Sequence, residues 1–205
     1  MAYKRQQQPK LTDKQKENRL KFCKARKDWT TEEWKRVIFS DECPFELIHA
    51  PNRQNDRIWA PDKSNVQLVE LVKHPPKIQV WGMISYQVVS DLHMIDPGQT
   101  ITGDYYVNEI MKKTLCVTYK RKRKTGSTIQ RKIVHNMSHS IFQQDGAPAH
   151  HSKKSQEWLK NYLPSFWEKG IWPGNSPDLN PIENVWAIMK SDMDTMALPN
   201  NLKNA

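Results

Sequence analysis

Apolar residues fall along this chain in short runs between long polar stretches, and the runs show two periods. Residues 11–27 read as a charged helix with Leu20 and Phe22 among its few large apolar anchors. In Trp29-Thr30-Thr31-Glu32-Glu33-Trp34, Thr30 fits a helix N-cap and Glu33 completes a capping box. Trp29 and Trp34 then occupy the two hydrophobic-staple positions. Residues 37–41 predict a short buried strand ending in an acid, and 45–50 and 57–60 predict the next two strands of a meander. The run IQVWGMISY at 78–86 predicts a further strand, with 91–95 extending the sheet. Thr102 fits the cap of a helix running to Leu115, and residues 117–140 read as a polar, exposed loop. A strand over 141–144 ends at Asp145, a helix covers 152–163, and the proline-bearing stretch 164–180 reads as loop. The last helix begins at Pro181 and shows Ile182, Val185, Trp186, Met189 and Met193 at helical spacing. A meander followed by alternating helix and strand predicts an α/β or α+β fold, a mixed sheet flanked by helices, with an N-terminal helical arm.

Charge changes the picture more than hydrophobicity does. The 205 residues carry 32 Lys+Arg against 22 Asp+Glu, a formal net charge of +10, which favours a polyanionic partner such as nucleic acid. A generally basic surface is the plainer alternative. No apolar run reaches the ~20 residues that span a bilayer, and the N-terminus lacks the apolar core of a signal peptide. Cys23, Cys43 and Cys116 are odd in number and widely spaced, which argues against a disulfide framework. His135 and His139 have a metal-ligand spacing but no cysteine pair beside them, so they read as loop histidines. Trp81, Trp158, Trp172 and Trp186 read as core or loop anchors.

Three acids stand where chemistry is commonly built. Asp41 and Asp145 each follow an apolar strand, and Glu183 lies in the first turn of a helix. Carboxylates on rigid elements suit Mg²⁺ or Mn²⁺, and two such ions about 4 Å apart can serve an in-line phosphoryl displacement. Each acid also has a plainer role. Ser40-Asp41-Glu42 and Asp145-Gly146 are ordinary turn chemistry. In Asn180-Pro181-Ile182-Glu183, Asn180 fits an N-cap, Pro181 the first helical position and Glu183 a capping-box partner. Spacing alone leaves these alternatives open.

The segments VIFSDECPF, IQVWGMIS, FQQDGAPAHHS and WPGNSPDLNPIENVW occur in that order, from Val37 to Trp186. Together they resemble the Tc1/mariner superfamily of transposases, a likeness that runs from about Leu11 to Met193. The resemblance implies an RNase H-like catalytic domain in which Asp41, Asp145 and Glu183 form a DDE triad. That triad would be catalytic and would hold Mg²⁺ or Mn²⁺ as a two-metal site. It further implies cleavage at transposon ends and strand transfer to target DNA, with DNA as partner, a homodimer and a nuclear location. Residues 1–34 would then be a basic arm and helices left from the linker to a DNA-binding region. Residues 35–205 would be the catalytic domain, truncated at the C-terminus.

Other residues are weighed beside the triad. His150 matches a position commonly histidine in the family, and would approach the scissile phosphate or a metal-bound water; the alternative is a helix-start histidine bonded to backbone. Asn184 could support Glu183 or be polar surface. Lys120, Arg121, Lys122, Arg123, Lys124, Arg131 and Lys132 form a basic run suited to DNA phosphates, to nuclear localisation, or to plain solvation. Two departures from the family stand out. Asp145 and Glu183 are separated by 37 residues, more than is common in Tc1 elements. Only a short arm precedes Val37, where the family carries paired helix-turn-helix modules, so the chain reads as a fragment or a decayed copy. The rival functions are a DNA-binding relic without chemistry, and another RNase H-like nuclease or integrase.

Overall fold

The computed structural model describes residues 10–47, 62, 76–87, 89–115, 118–122, 128–132 and 139–195. The strands are β1 (Val37–Glu46), β2 (Lys77–Ile84), β3 (His93–Ile95), β4 (Thr118–Lys122), β5 (Thr128–Lys132) and β6 (Ile141–Gln143). The helices are α1 (Asp13–Lys24), α2 (Thr31–Trp34), α3 (Gly103–Tyr105), α4 (Lys112–Thr114), α5 (Lys153–Tyr162) and α6 (Ile182–Thr195). A π-helical stretch, Tyr106–Met111, joins α3 to α4 in one rod.

The main sheet has the order β3-β2-β1-β6. β1, β2 and β3 form an antiparallel meander, and β6 joins β1 in parallel, Val37 beside Ile141 and Phe39 beside Gln143. This is the mixed sheet flanked by helices that the sequence predicts. The segment at Phe166 continues the sheet beyond β6. Phe142 N–H donates to Ser165 O, and Trp167 N–H donates to Phe142 O.

Strand alternation sends successive side chains of β1 to opposite faces. Ile38 joins Trp81, Phe142, Tyr106, Ile110, Trp158 and Leu159, where the 103–114 rod and α5 cover one face. Val37 and Phe39 point the other way and meet Phe22 of α1 and Trp167. Cys43 and Phe45 share that second face and pack under Ile182 and Trp186 of α6. Each large apolar side chain fully buried in this way contributes about 1.5–3 kcal/mol. All four tryptophans read as anchors pack in or against these clusters.

The cap signals in the sequence form as expected. Thr30 accepts from Glu33 N, the Glu33 carboxylate accepts from Thr30 N, and the Trp29 and Trp34 rings meet edge-on at 4.9 Å. Thr102 and Ser152 cap α3 and α5. Thr12 and Gln15 form a further capping box, at the start of α1.

Two expectations are corrected. Residues 37–41 and the start of 45–50 form one continuous strand, so Asp41 sits within β1, opposite Gly82 of β2. Pro44 suggests a break, but β6 pairs with β1 only as far as Phe39. By Pro44, among the described residues, no strand pairs with that side of β1, and a strand edge tolerates proline. The second correction concerns 117–140. Within it β4 and β5 pair as an antiparallel hairpin, Lys120 opposite Gln130, and backbone pairing replaces the expected loop. The strand expected at 57–60, Cys116, His135, Arg123 and Lys124 lie outside the described residues. Cys23 and Cys43 are free thiols. Among the described residues no helix is long and apolar enough to cross a membrane.

Candidate active site

Parallel pairing of β1 with β6 sets the first two acids side by side. Phe39 lies beside Gln143; β1 runs on through Asp41, while β6 ends at Gln143, two residues before Asp145. Asn180 brings the third acid to the same place. Its side-chain amide donates to Ser40 O at 3.3 Å, pinning the start of α6 next to Asp41. The Asn180 side-chain oxygen accepts from Ile182 N, which is the capping role expected of it. The other half of the expected capping box does not form. Asn180 N–H already donates to Pro177 O, so Glu183 is not needed at that donor. One turn into α6, Trp186 lies so close over Gly82 that a Cβ at Gly82 would meet its ring at 2.8 Å. Glycine opposite Asp41 thus lets α6 approach the sheet.

The charges of the other two acids reach Asp41. Burial pushes the Asp41 carboxyl up to about 7, with the charges of Glu183, Glu42 and Asp145 adding to the rise and the Glu42 amide opposing it. Asp145 goes the other way. Its burial would raise it, but the hydrogen bond and charge of His150 and the Ala147 amide hold it below the ordinary aspartate value. Each aspartate is gripped through one oxygen. Asp41 Oδ1 accepts from Glu42 N at 2.9 Å. Asp145 Oδ1 accepts from Ala147 N at 2.9 Å, a local turn of the kind the sequence suggested, and bonds His150 Nδ1 at 2.7 Å. An all-carboxylate donor set with crowded negative charge, held through single oxygens, fits a hard divalent cation.

His150 lies between two carboxylates. It is 2% exposed, and its Nδ1 and Nε2 bond Asp145 Oδ1 at 2.7 Å and Glu42 Oε1 at 3.0 Å. Burial would lower its pKa, yet the bonds to Asp145 and Glu42 and their charges raise it to about 10. Both ring nitrogens are thus engaged by carboxylates rather than by the backbone. Asn184 is exposed. Lys120, Arg121, Lys122, Arg131 and Lys132 lie on the β4–β5 hairpin, away in sequence from all three acids.

Glu42 is the residue that sequence reasoning missed. Its side chain is only 10% exposed, on the opposite face of β1 from Asp41. The signal was present as the alternation of Val37, Phe39, Asp41, Cys43 and Phe45, which assigns Glu42 to the other face.

A family model described as DDE superfamily endonuclease matches residues 36–204. The Tcb2 transposase of Caenorhabditis briggsae is 29% identical over 181 residues, covering 87% of this chain and 59% of its own. The Tc1 transposase of Caenorhabditis elegans is 27% identical over 183 residues, with the same coverage of 87% and 59%. This chain thus spans 59% of the length of these relatives. Among solved structures, the Mos1 mariner paired end complex with Mn superposes with a TM-score of 0.67 at 16% identity, covering 94% of this chain and 53% of that one. The corresponding complex with Mg covers the same shares at 20% identity. At these identities the superposition shows the shared fold, RNase H-like as expected.

Proposed function

The chain belongs to the DDE superfamily of endonucleases, and on that premise we propose that it is the catalytic domain of a Tc1/mariner-type transposase. It would cut DNA strands at transposon ends and join them to target DNA. The observation that carries the reading is that the charges of Asp145 and Glu183 both reach the Asp41 carboxyl, from the end of a neighbouring parallel strand and from a helix start. In this reading Asp41, Asp145 and Glu183 hold Mg²⁺ or Mn²⁺. When bound, the ions activate an attacking oxygen and stabilise the leaving one. The chain's own part is to hold the three carboxylates together. β1 and β6 place the two aspartates, and Asn180 fixes the α6 start. The basic hairpin would contact DNA phosphates, and the reading extends to a homodimer working in the nucleus.

The test is a cleavage and strand-transfer assay on DNA carrying the element's ends, with Mn²⁺ or Mg²⁺. Metal-dependent products are expected from the unaltered chain. Asp145→Asn keeps the side-chain shape but loses the charge that holds a cation, so it should abolish them with the fold intact. Near-normal turnover by Asp145→Asn would remove Asp145 from the ligand set.

A further inference from the structure

β1 presents two consecutive acids to opposite sides of the sheet. Asp41 faces α6 and Glu183, while Glu42 reaches into the layer under α5. There Glu42 Oε1 lies 3.0 Å from His150 Nε2, and His150 Nδ1 lies 2.7 Å from Asp145 Oδ1. Ionised carboxylates only accept hydrogen bonds, so a ring between two of them donates from both nitrogens. The three groups bring candidate ligand atoms within 4.8 Å of one another. An imidazole nitrogen that ligates a metal carries no proton, however, so this ring is a link between carboxylates and not itself a ligand.

The link is rigidly seated. The Tyr106 ring lies 4.2 Å from the His150 ring, and Tyr106 Oη donates to Gln144 Oε1 at 3.0 Å. Gln144 and Gln156 side-chain amides both donate to His150 O, at 3.4 and 2.9 Å. Tyr106 opens the π-helical stretch, a wide turn of the kind often found at functional sites.

We propose that Glu42 is a positioning residue that acts through His150 to fix the Asp145 carboxylate for cation binding. The proposal rests on the reading of Asp145 as a metal ligand. Groups that orient a ligand in this way typically alter metal affinity about 10–100-fold when changed.

Calorimetric titration of the chain with Mn²⁺ alone, without DNA, tests it. Glu42→Asp keeps the charge but is one methylene too short for the 3.0 Å contact. Mn²⁺ affinity should fall by about tenfold, the low end for such a group. Glu42→Gln is isosteric and should weaken binding similarly in the unaltered chain, but by less than about twofold in a His150→Asn background, because the effect travels through the ring. Melting curves confirm that each variant folds, and either substitution alone suffices if the other does not. Unchanged affinity in the folded variants overturns the proposal and leaves the metal site standing. So does an equal loss from Glu42→Gln in both backgrounds, which would mark a simple field effect. An unaltered chain that takes up no Mn²⁺ removes the metal-site reading and the proposal together.

Discussion

Asp41 sits beside the charges of Glu183, Glu42 and Asp145 in a half-buried site. Its carboxyl moves from an ordinary 3.8 to about 7 in the folded chain. The folded state therefore holds this proton more tightly than the unfolded state does. The group favours folding increasingly as pH falls from about 7 towards 3.8, and that contribution is lost above 7. His150 has the same sign, in a higher pH window. Raised from 6.5 to about 10, it gives stability that is full below 6.5 and lost as pH rises through about 10. Without metal, Asp41→Asn should raise the melting temperature at about pH 8, and the gain should shrink on acidification. Calorimetric melts at several pH values check this. A melting temperature unmoved by Asp41→Asn at alkaline pH would mean that the carboxylates do not crowd one another.

Elements carry the site through close approach. Trp186 rests on Gly82, and a methyl group there would meet the ring at 2.8 Å. Gly82→Ala should destabilise the chain by about 1–3 kcal/mol, as overpacking does. It should also weaken Mn²⁺ binding, since Glu183 lies one turn before Trp186 in α6. Gly174→Ala, where a Cβ would meet nothing within 4 Å, is the control for both measurements. A Gly82→Ala chain with unaltered melting and Mn²⁺ affinity would show that α6 is not held by this contact. Much of this layer was legible in the sequence. Thr30, Glu33, Thr102 and Ser152 announce their helices through local hydrogen bonds, and Ile182 and Trp186 through helical spacing. What stayed hidden depends on more distant pairing. Pro44 interrupts the run that makes β1 continuous, and only the short reach of β6 explains why the strand survives it. Glu42 looked like turn chemistry because its partner His150 lies 108 residues away. The π-helical turn at Tyr106–Met111 departs from the period that would have revealed it.

For the whole molecule, a formal charge of +10 sets the expected response to salt. Neutralising Lys120–Lys124 should make the salt dependence of DNA binding shallower, by roughly 0.9 of slope for each phosphate that the chain no longer neutralises. Fluorescence anisotropy over a range of salt concentrations measures it. An unchanged slope would assign the basic run to localisation or plain solvation. The three acids and the basic hairpin also separate the tasks. Removing a triad acid should stop chemistry without altering that slope, and removing the hairpin charges should do the reverse.

The early chain is tied to the late chain at several points. Phe22 of α1 packs edge-on against Trp167 and Trp172, Arg26 lies over the Phe22, Trp29 and Trp167 rings, and Arg19 pairs with Asp178, 159 residues further on. A ribosome adding about 5–20 residues per second needs on the order of ten to thirty seconds to cover that distance. For most of that interval Trp167 and Trp172, the aromatic partners of Phe22, have not been made. Phe22 and Trp29 then lack that cover, and are open to chaperones and to neighbouring nascent chains on the same messenger.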